Sequence, residues 1–212
     1  MPTRFLDRRG FIALLRAARE RRRLTARRDW FLIYLMGRTG MRCSEALALR
    51  VGELHLDTDP PYLDVWTLKQ KRRIKDQVVL EARTVRAARR YLSRTLPRLM
   101  RSLTWPGDPV FPTRRERHRQ PDLAVSQDLR AQAMSARNAR RIFDVYRRRA
   151  QLPPWITLHS LRHYRATELL RASKDLKWVQ QQLRHRFISS TQRYLHVDPE
   201  LQRRYLARLD KR

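Results

Sequence analysis

Apolar residues recur at helical spacing near the start of the chain, where Phe11, Leu14, Leu15 and Ala18 fall on one helix face. A polar stretch ending at Asp29 gives way to an unbroken apolar run, Trp30 to Met36, which predicts a second helix buried on all sides. Thr39 and Gly40 break the pattern. It resumes from Cys43 to Leu49, so Arg42 stands at or just before a helix N-terminus.

The texture changes at Pro60. Tyr62 to Leu68 reads as a strand and Gln77 to Leu80 as its partner. The intervening residues, Lys69 to Asp76, contain neither Gly nor Pro, which predicts a mobile, cation-rich loop rather than a tight two-residue turn. Helical spacing returns from Thr84 to Met100. A polar, arginine-rich stretch over 113–127 has no period and reads as an exposed excursion. Ser135 is placed to cap a helix through Arg149, Pro153–Pro154 to end it, and Thr157 to cap another from His159 to Arg171. Asp175 starts a further helix with Leu176, Val179 and Leu183 on one face, and Leu201, Tyr205, Leu206 and Leu209 mark a short tail helix over 198–212. Trp30, Tyr34, Trp66 and Trp178 sit in apolar patterns and read as core. The expectation is one mainly helical domain, residues 1–212, with a small antiparallel β-sheet: an α+β protein.

Composition narrows the partners. With 42% hydrophobic residues in 212, the chain has material for a core, which excludes disorder throughout. Forty-nine Lys and Arg against 20 acidic residues leave a formal charge of +29, which favours a polyanion and steeply salt-dependent binding. Cys43 is the only cysteine, so no intrachain disulfide or cysteine-based zinc site forms, and His55, His118, His163 and His196 lack metal-ligand spacing. No metal or other cofactor is expected. The longest apolar run is far shorter than the ~20 residues of a membrane span, and no signal-peptide pattern opens the chain. The expected location is cytoplasmic, with no membrane partner.

Residues 159–194 offer His159, Arg162, His185 and Tyr194 to one site. A tyrosine, with an ordinary pKa of about 10, attacks well only beside cationic and proton-accepting groups, and the two histidines and the arginine supply both. His159 and Arg162, three apart, share one face near a helix N-terminus, where helix N–H groups and a guanidinium could grip one phosphate. Taken alone, that pair suits a basic helix surface equally well. Arg42 at its own helix start is electrostatically unwelcome unless an anion joins it.

Thr39–Gly40–Met41–Arg42–Cys43–Ser44–Glu45, then His159–Ser160–Leu161–Arg162–His163, then His185 and Tyr194 resemble, in order, the signature of the tyrosine recombinase (phage integrase) family. The resemblance runs from about Phe11 to the C-terminus. It implies the family's catalytic-domain fold and a site-specific recombinase of integrase or invertase type. Arg42 and Arg162 would hold the non-bridging oxygens of the scissile phosphate. Tyr194 would attack phosphorus, giving a 3'-phosphotyrosyl bond and a free 5'-hydroxyl. His159 matches the hydrogen-bonding or general-base position, His185 the phosphate-contacting one, and Glu45 the acidic residue that supports the first arginine.

The family's general acid is a lysine of the sheet loop. Thr67–Leu68–Lys69 points to Lys69, whereas counting back from Val79–Leu80 points to Lys71. The other cations there, among Lys71, Arg72, Arg73 and Lys75, would contact the backbone of double-stranded DNA. Self-association on DNA, from dimer to tetramer, would follow, with the tail helix docking on a neighbouring protomer or packing back on its own domain. A non-catalytic DNA-binding relative and a topoisomerase-like enzyme that relaxes DNA are the competing readings.

Two departures stand out. Relatives usually carry glycine just before the histidine of the late motif, and here that position is Arg184. An arginine with positive φ costs about 1 kcal/mol, so either the turn differs or Arg184 gains something from DNA; with positive φ, glycine there would be stabilising. The chain also begins almost at the catalytic domain. The expectation is therefore a catalytic domain without an N-terminal core-binding domain, either a minimal enzyme similar to fimbrial-switch invertases or a fragment.

Overall fold

The computed structural model describes residues 5–21, 23–69, 72–100, 104–113 and 132–184, with the backbone alone over 67–73. Helix α1 (Arg8–Arg19) begins where the Asp7 carboxylate accepts the Gly10 N–H at 2.7 Å. Its buried stripe, including Phe11 and Leu14, packs on α2 (Leu24–Thr39), the axis of the domain. There Phe31, Leu32, Ile33, Leu35 and Met36 are all buried, as an apolar run on every face requires. Helix α2 stops at Gly40, whose φ of 70° suits glycine, and a Cβ there would lie 2.4 Å from Leu183 Cδ2.

Helix α3 (Cys43–Ala48) and a 3-10 turn (Val51–Glu53) lead into a three-stranded antiparallel sheet in the order β1 (Leu54–His55), β2 (Tyr62–Lys69), β3 (Arg72–Val79). Strands β2 and β3 pair from Tyr62↔Val79 to Lys69↔Arg72, so only residues 70 and 71 separate them. The long loop expected between Lys69 and Asp76 is therefore mostly strand. Leu63, Val65 and Val78 reach the core, whereas Ile74 is exposed, so the described part of β3 away from Val78 needs no apolar alternation. Strand β1 is too short to leave a periodic signal.

The helix expected from Thr84 to Met100 divides into α4 (Ala82–Arg94) and α5 (Leu96–Met100). Pro97 explains the break, because it has no N–H and its ring crowds the carbonyl four residues back. Three further helices follow: α6 (Ala136–Arg149), α7 (Leu158–Ser173) and α8 (Leu176–Gln182). Ser135 caps α6 at Asn138, Thr157 and Ser160 form a capping box on α7, and Asp175 caps α8 at Trp178. Trp178 itself is 38% exposed, not core: its neighbour Val179 faces inward instead. The tail over 198–212 and most of the excursion lie outside the described residues, although the excursion's flanks are tied together by Thr113 N–H to Gln132 O and Met134 N–H to Phe111 O.

One polar group is built into the core. Arg28 donates twice to Asp29 (3.0 and 2.8 Å) and once to the Pro112 carbonyl (2.7 Å), while Tyr146 donates to the other Asp29 oxygen at 3.0 Å. This joins α2, α6 and the strand-like segment at 112. Burial raises the Asp29 carboxyl above its usual range despite Arg28.

Candidate active site

A cleft of about 430 Å³ opens where α2, α3, α6 and α7 meet, and Arg42, His159 and Arg162 all line it. Two of these come from α7 and one from the start of α3, so the fold joins motifs 120 residues apart. The first turn of α7, through Thr157 and Leu158, also faces the cleft, adding the positive end of a 16-residue helix.

Arg162 is 2% exposed and still reaches the cleft wall. Backbone carbonyls orient it: one terminal nitrogen donates to Gly40 O at 2.7 Å and the other to Leu183 O. Arg42 is the accessible arginine, with 44% of its side chain exposed. It is the N-cap of α3, where Glu45 returns to accept its backbone N–H (2.9 Å) and its guanidinium (2.6 Å). Thus Glu45 lies where the resemblance expects a support for Arg42. His159 is exposed on the helix face and meets His163 edge-on, 4.5 Å between ring centroids.

Arg184 departs from its expected place at DNA. Its φ is indeed positive, 57°, but its side chain is only 4% exposed and its guanidinium pairs with Glu45 Oε2 at 2.7 Å. A carboxylate buried beside Arg42 is the physical reason: it draws in a second cation. Burial pushes the Glu45 carboxyl up, but the Arg184 charge and the Arg42 contacts outweigh it and hold Glu45 below the usual glutamate range. Lys75, also expected at DNA, pairs with Asp64 at 2.8 Å, an oxygen that His55 shares at 2.7 Å.

His185, Tyr194 and Lys71 lie outside the described residues, as do the side chains of Lys69, Arg72 and Arg73. Tyr91, Tyr146 and Tyr164 are buried, burial raises each phenol, and none of the three lines the cleft. Burial likewise raises the Cys43 thiol, against the pull of Arg140, so a cysteine in the cleft wall stays protonated.

Part of the cleft wall carries no sequence signal. Arg140, Phe143 and Asp144 of α6 line the cleft, yet in the sequence they are three positions of an arginine-rich helix without a motif. Away from the cleft lining, Glu81 ties Arg38 of α2 to Arg165 of α7, at 2.6 Å for the second, and is likewise unmarked by any local pattern.

Residues 4–200 match the phage integrase family. The chain belongs to that family, whose members include the tyrosine recombinases. It is 33% identical over 173 residues to tyrosine recombinase XerC of Pelotomaculum thermopropionicum, covering 82% of this chain and 51% of the relative. To XerC of Bacillus subtilis it is 29% identical, covering 83% and 51%. It therefore spans about half the length of these curated relatives. Among solved structures, XerA recombinase matches 98% of the chain with a TM-score of 0.70 at 22% identity, covering 65% of that protein. XerH bound to its difH substrate, in a post-cleavage complex, matches 98% with a TM-score of 0.71 at 22% identity, covering 53%. The mainly helical fold with a small antiparallel sheet is thus that of tyrosine recombinase catalytic domains. Among the described residues, no helix is long and apolar enough to cross a membrane.

Proposed function

We propose that this chain carries the catalytic machinery of a site-specific DNA recombinase acting on double-stranded DNA in the cytoplasm. The observation that carries the reading is the convergence of Arg42, His159 and Arg162 on one cleft in a protein of charge +29. A DNA-binding module needs attraction; it does not need two guanidinium groups and an imidazole held together in a pocket.

In this mechanism the Tyr194 oxygen attacks the scissile phosphorus as His159 takes the phenolic proton. The bond from phosphorus to the 5'-oxygen breaks, and the ammonium of Lys69 or Lys71 protonates the leaving oxygen. Arg42 and Arg162 neutralise charge on the non-bridging oxygens, each such donor being worth on the order of 100-fold or more in rate. His185 adds a contact to the same phosphate. The phosphotyrosyl bond retains the phosphodiester's energy, so a 5'-hydroxyl from another strand reverses the step without ATP. Exchange between two sites requires protomers to assemble in pairs, two on each site, with residues 198–212 reaching a neighbour.

The test uses a pool of nicked duplexes enriched for retention by the protein, in which the short 5' fragment diffuses away after cleavage. The expected result is a covalent complex that survives denaturation, and its loss in Tyr194→Phe with retention unchanged. Retention without any adduct in the parent chain would favour the DNA-binding reading.

A further inference from the structure

Arg184 occupies a position where its backbone is unfavourable and its charge is buried, so it needs a compensating role. Its φ of 57° is left-handed, its N–H closes the end of α8 on Gln181 O at 2.9 Å, and its side chain folds inward to Glu45. Two of its nitrogens, Nε and one terminal nitrogen, are buried without an acceptor, which leaves Glu45 as its one charged contact among the described residues. Glu45 is in turn shared: one oxygen meets the Arg42 guanidinium, the other meets Arg184 and the Arg42 N–H. The carboxylate is therefore a bridge between an exposed arginine in the cleft and a buried one at the end of α8. One residue earlier, the Leu183 carbonyl accepts from Arg162. Residues 183 and 184 thus connect Arg42 and Arg162 to the point where the chain continues to His185.

We infer that Arg184 is a positioning residue: through Glu45 it fixes the direction of the Arg42 guanidinium and fastens the end of α8 to the start of α3. Arg184 touches no substrate in this role. It acts by removing freedom from two groups that must be aligned before phosphoryl transfer, where a displacement of about 1 Å can cost on the order of 100-fold in rate. This rests on the recombinase reading for its catalytic consequence, whereas the geometric part stands without it.

Two measurements on the full chain separate the parts. In ¹⁵N-labelled protein without DNA, the Arg42 Nε–H resonance reports whether its guanidinium is held. Arg184→Met should move and broaden that resonance, Arg184→Lys should largely preserve it, and Glu45→Gln should reproduce the Met effect. An Arg42 resonance that ignores Arg184→Met overturns the inference, whatever the protein does to DNA. In single-turnover cleavage of an enriched nicked duplex, Arg184→Met should slow adduct formation on the order of 10- to 100-fold, with partial rescue by Lys. In an Arg42→Ala background the same substitution should cost markedly less than in the parent, because one of the two groups it positions is gone. A full, multiplicative loss in that background would make Arg184 a general structural support and sink the proposal. If the parent chain forms no adduct, the recombinase reading fails, and the resonance alone decides the positioning claim. Should Arg184→Met not fold, Arg184→Lys and Glu45→Gln carry both measurements.

Discussion

Replacing Arg184 by glycine sets two opposing effects against each other. Removing the side chain relieves the left-handed backbone by about 1 kcal/mol. It also strands Glu45, whose side chain is 4% exposed, without the cation that most lowers its carboxyl. Breaking a buried pair by deleting one partner costs about 3–5 kcal/mol, so the net loss is about 2–4 kcal/mol. At roughly 2–4 °C per kcal/mol for a chain of this size, the melting temperature should fall by roughly 5–15 °C. The pH dependence carries a second signature. In the parent chain Glu45 titrates below its ordinary value of 4.5, so its stabilisation is complete above that pH and fades as pH falls through the lower folded value. Without Arg184, burial is opposed only by Arg42, and the fade should move to higher pH. Adding Glu45→Gln to Arg184→Gly removes the stranded charge and should recover part of the loss. Thermal melts of the DNA-free protein between pH 3 and 8 provide the assay. A melting temperature equal to or above that of the parent would refute the claim that the ion pair outweighs the backbone.

Lys69→Ala should slow strand cleavage far more than Lys71→Ala, and a 5'-thio leaving group, which needs little protonation, should rescue the Lys69 variant; rescue of Lys71→Ala alone would transfer the role of acid. Gly40→Ala places a methyl 2.4 Å from Leu183 Cδ2 at a φ of 70°, and should lower stability by about 2 kcal/mol or more while displacing a carbonyl that holds Arg162. Melts and single-turnover cleavage read both effects. Deleting the residues after Pro199 should spare folding of the protomer but abolish cooperative binding to paired sites in gel-shift titrations, with retained cooperativity excluding exchange of the tail.

The amount of this molecule legible in its sequence follows from how local each determinant is. The second half of α2 was readable because Trp30 to Met36 is apolar all round, and α7 because it begins at a recognisable cap, whereas the polar start of α2 from Leu24 to Asp29 was not; Thr39–Gly40 announced a helix end because left-handed backbone favours glycine. Arg42, His159 and Arg162 stood out as residue types in sequence order, and their meeting in one cleft is a property of how α3 and α7 pack on α2. The first half of strand β3 was hidden, since Arg72, Arg73, Lys75 and Asp76 are charged where a core strand would be apolar, and Pro97 divides a helix whose spacing runs through it. Arg184 shows a further limit. The unusual backbone was evident from the missing glycine, but its reward lies 139 residues away in Glu45, and no local pattern announces such a partner.

The two carbonyls that orient Arg162 belong to Gly40 and Leu183, and a carbonyl is supplied by every amino acid. Support of this kind asks nothing of a side chain's hydrogen-bonding chemistry at position 183, where the buried Leu183 side chain serves only to hold the backbone in place. What it does demand is that both segments close upon it together. Both carbonyls are in place only while the ends of α2 and α8 lie together, so the direction of Arg162 depends on that junction as a whole.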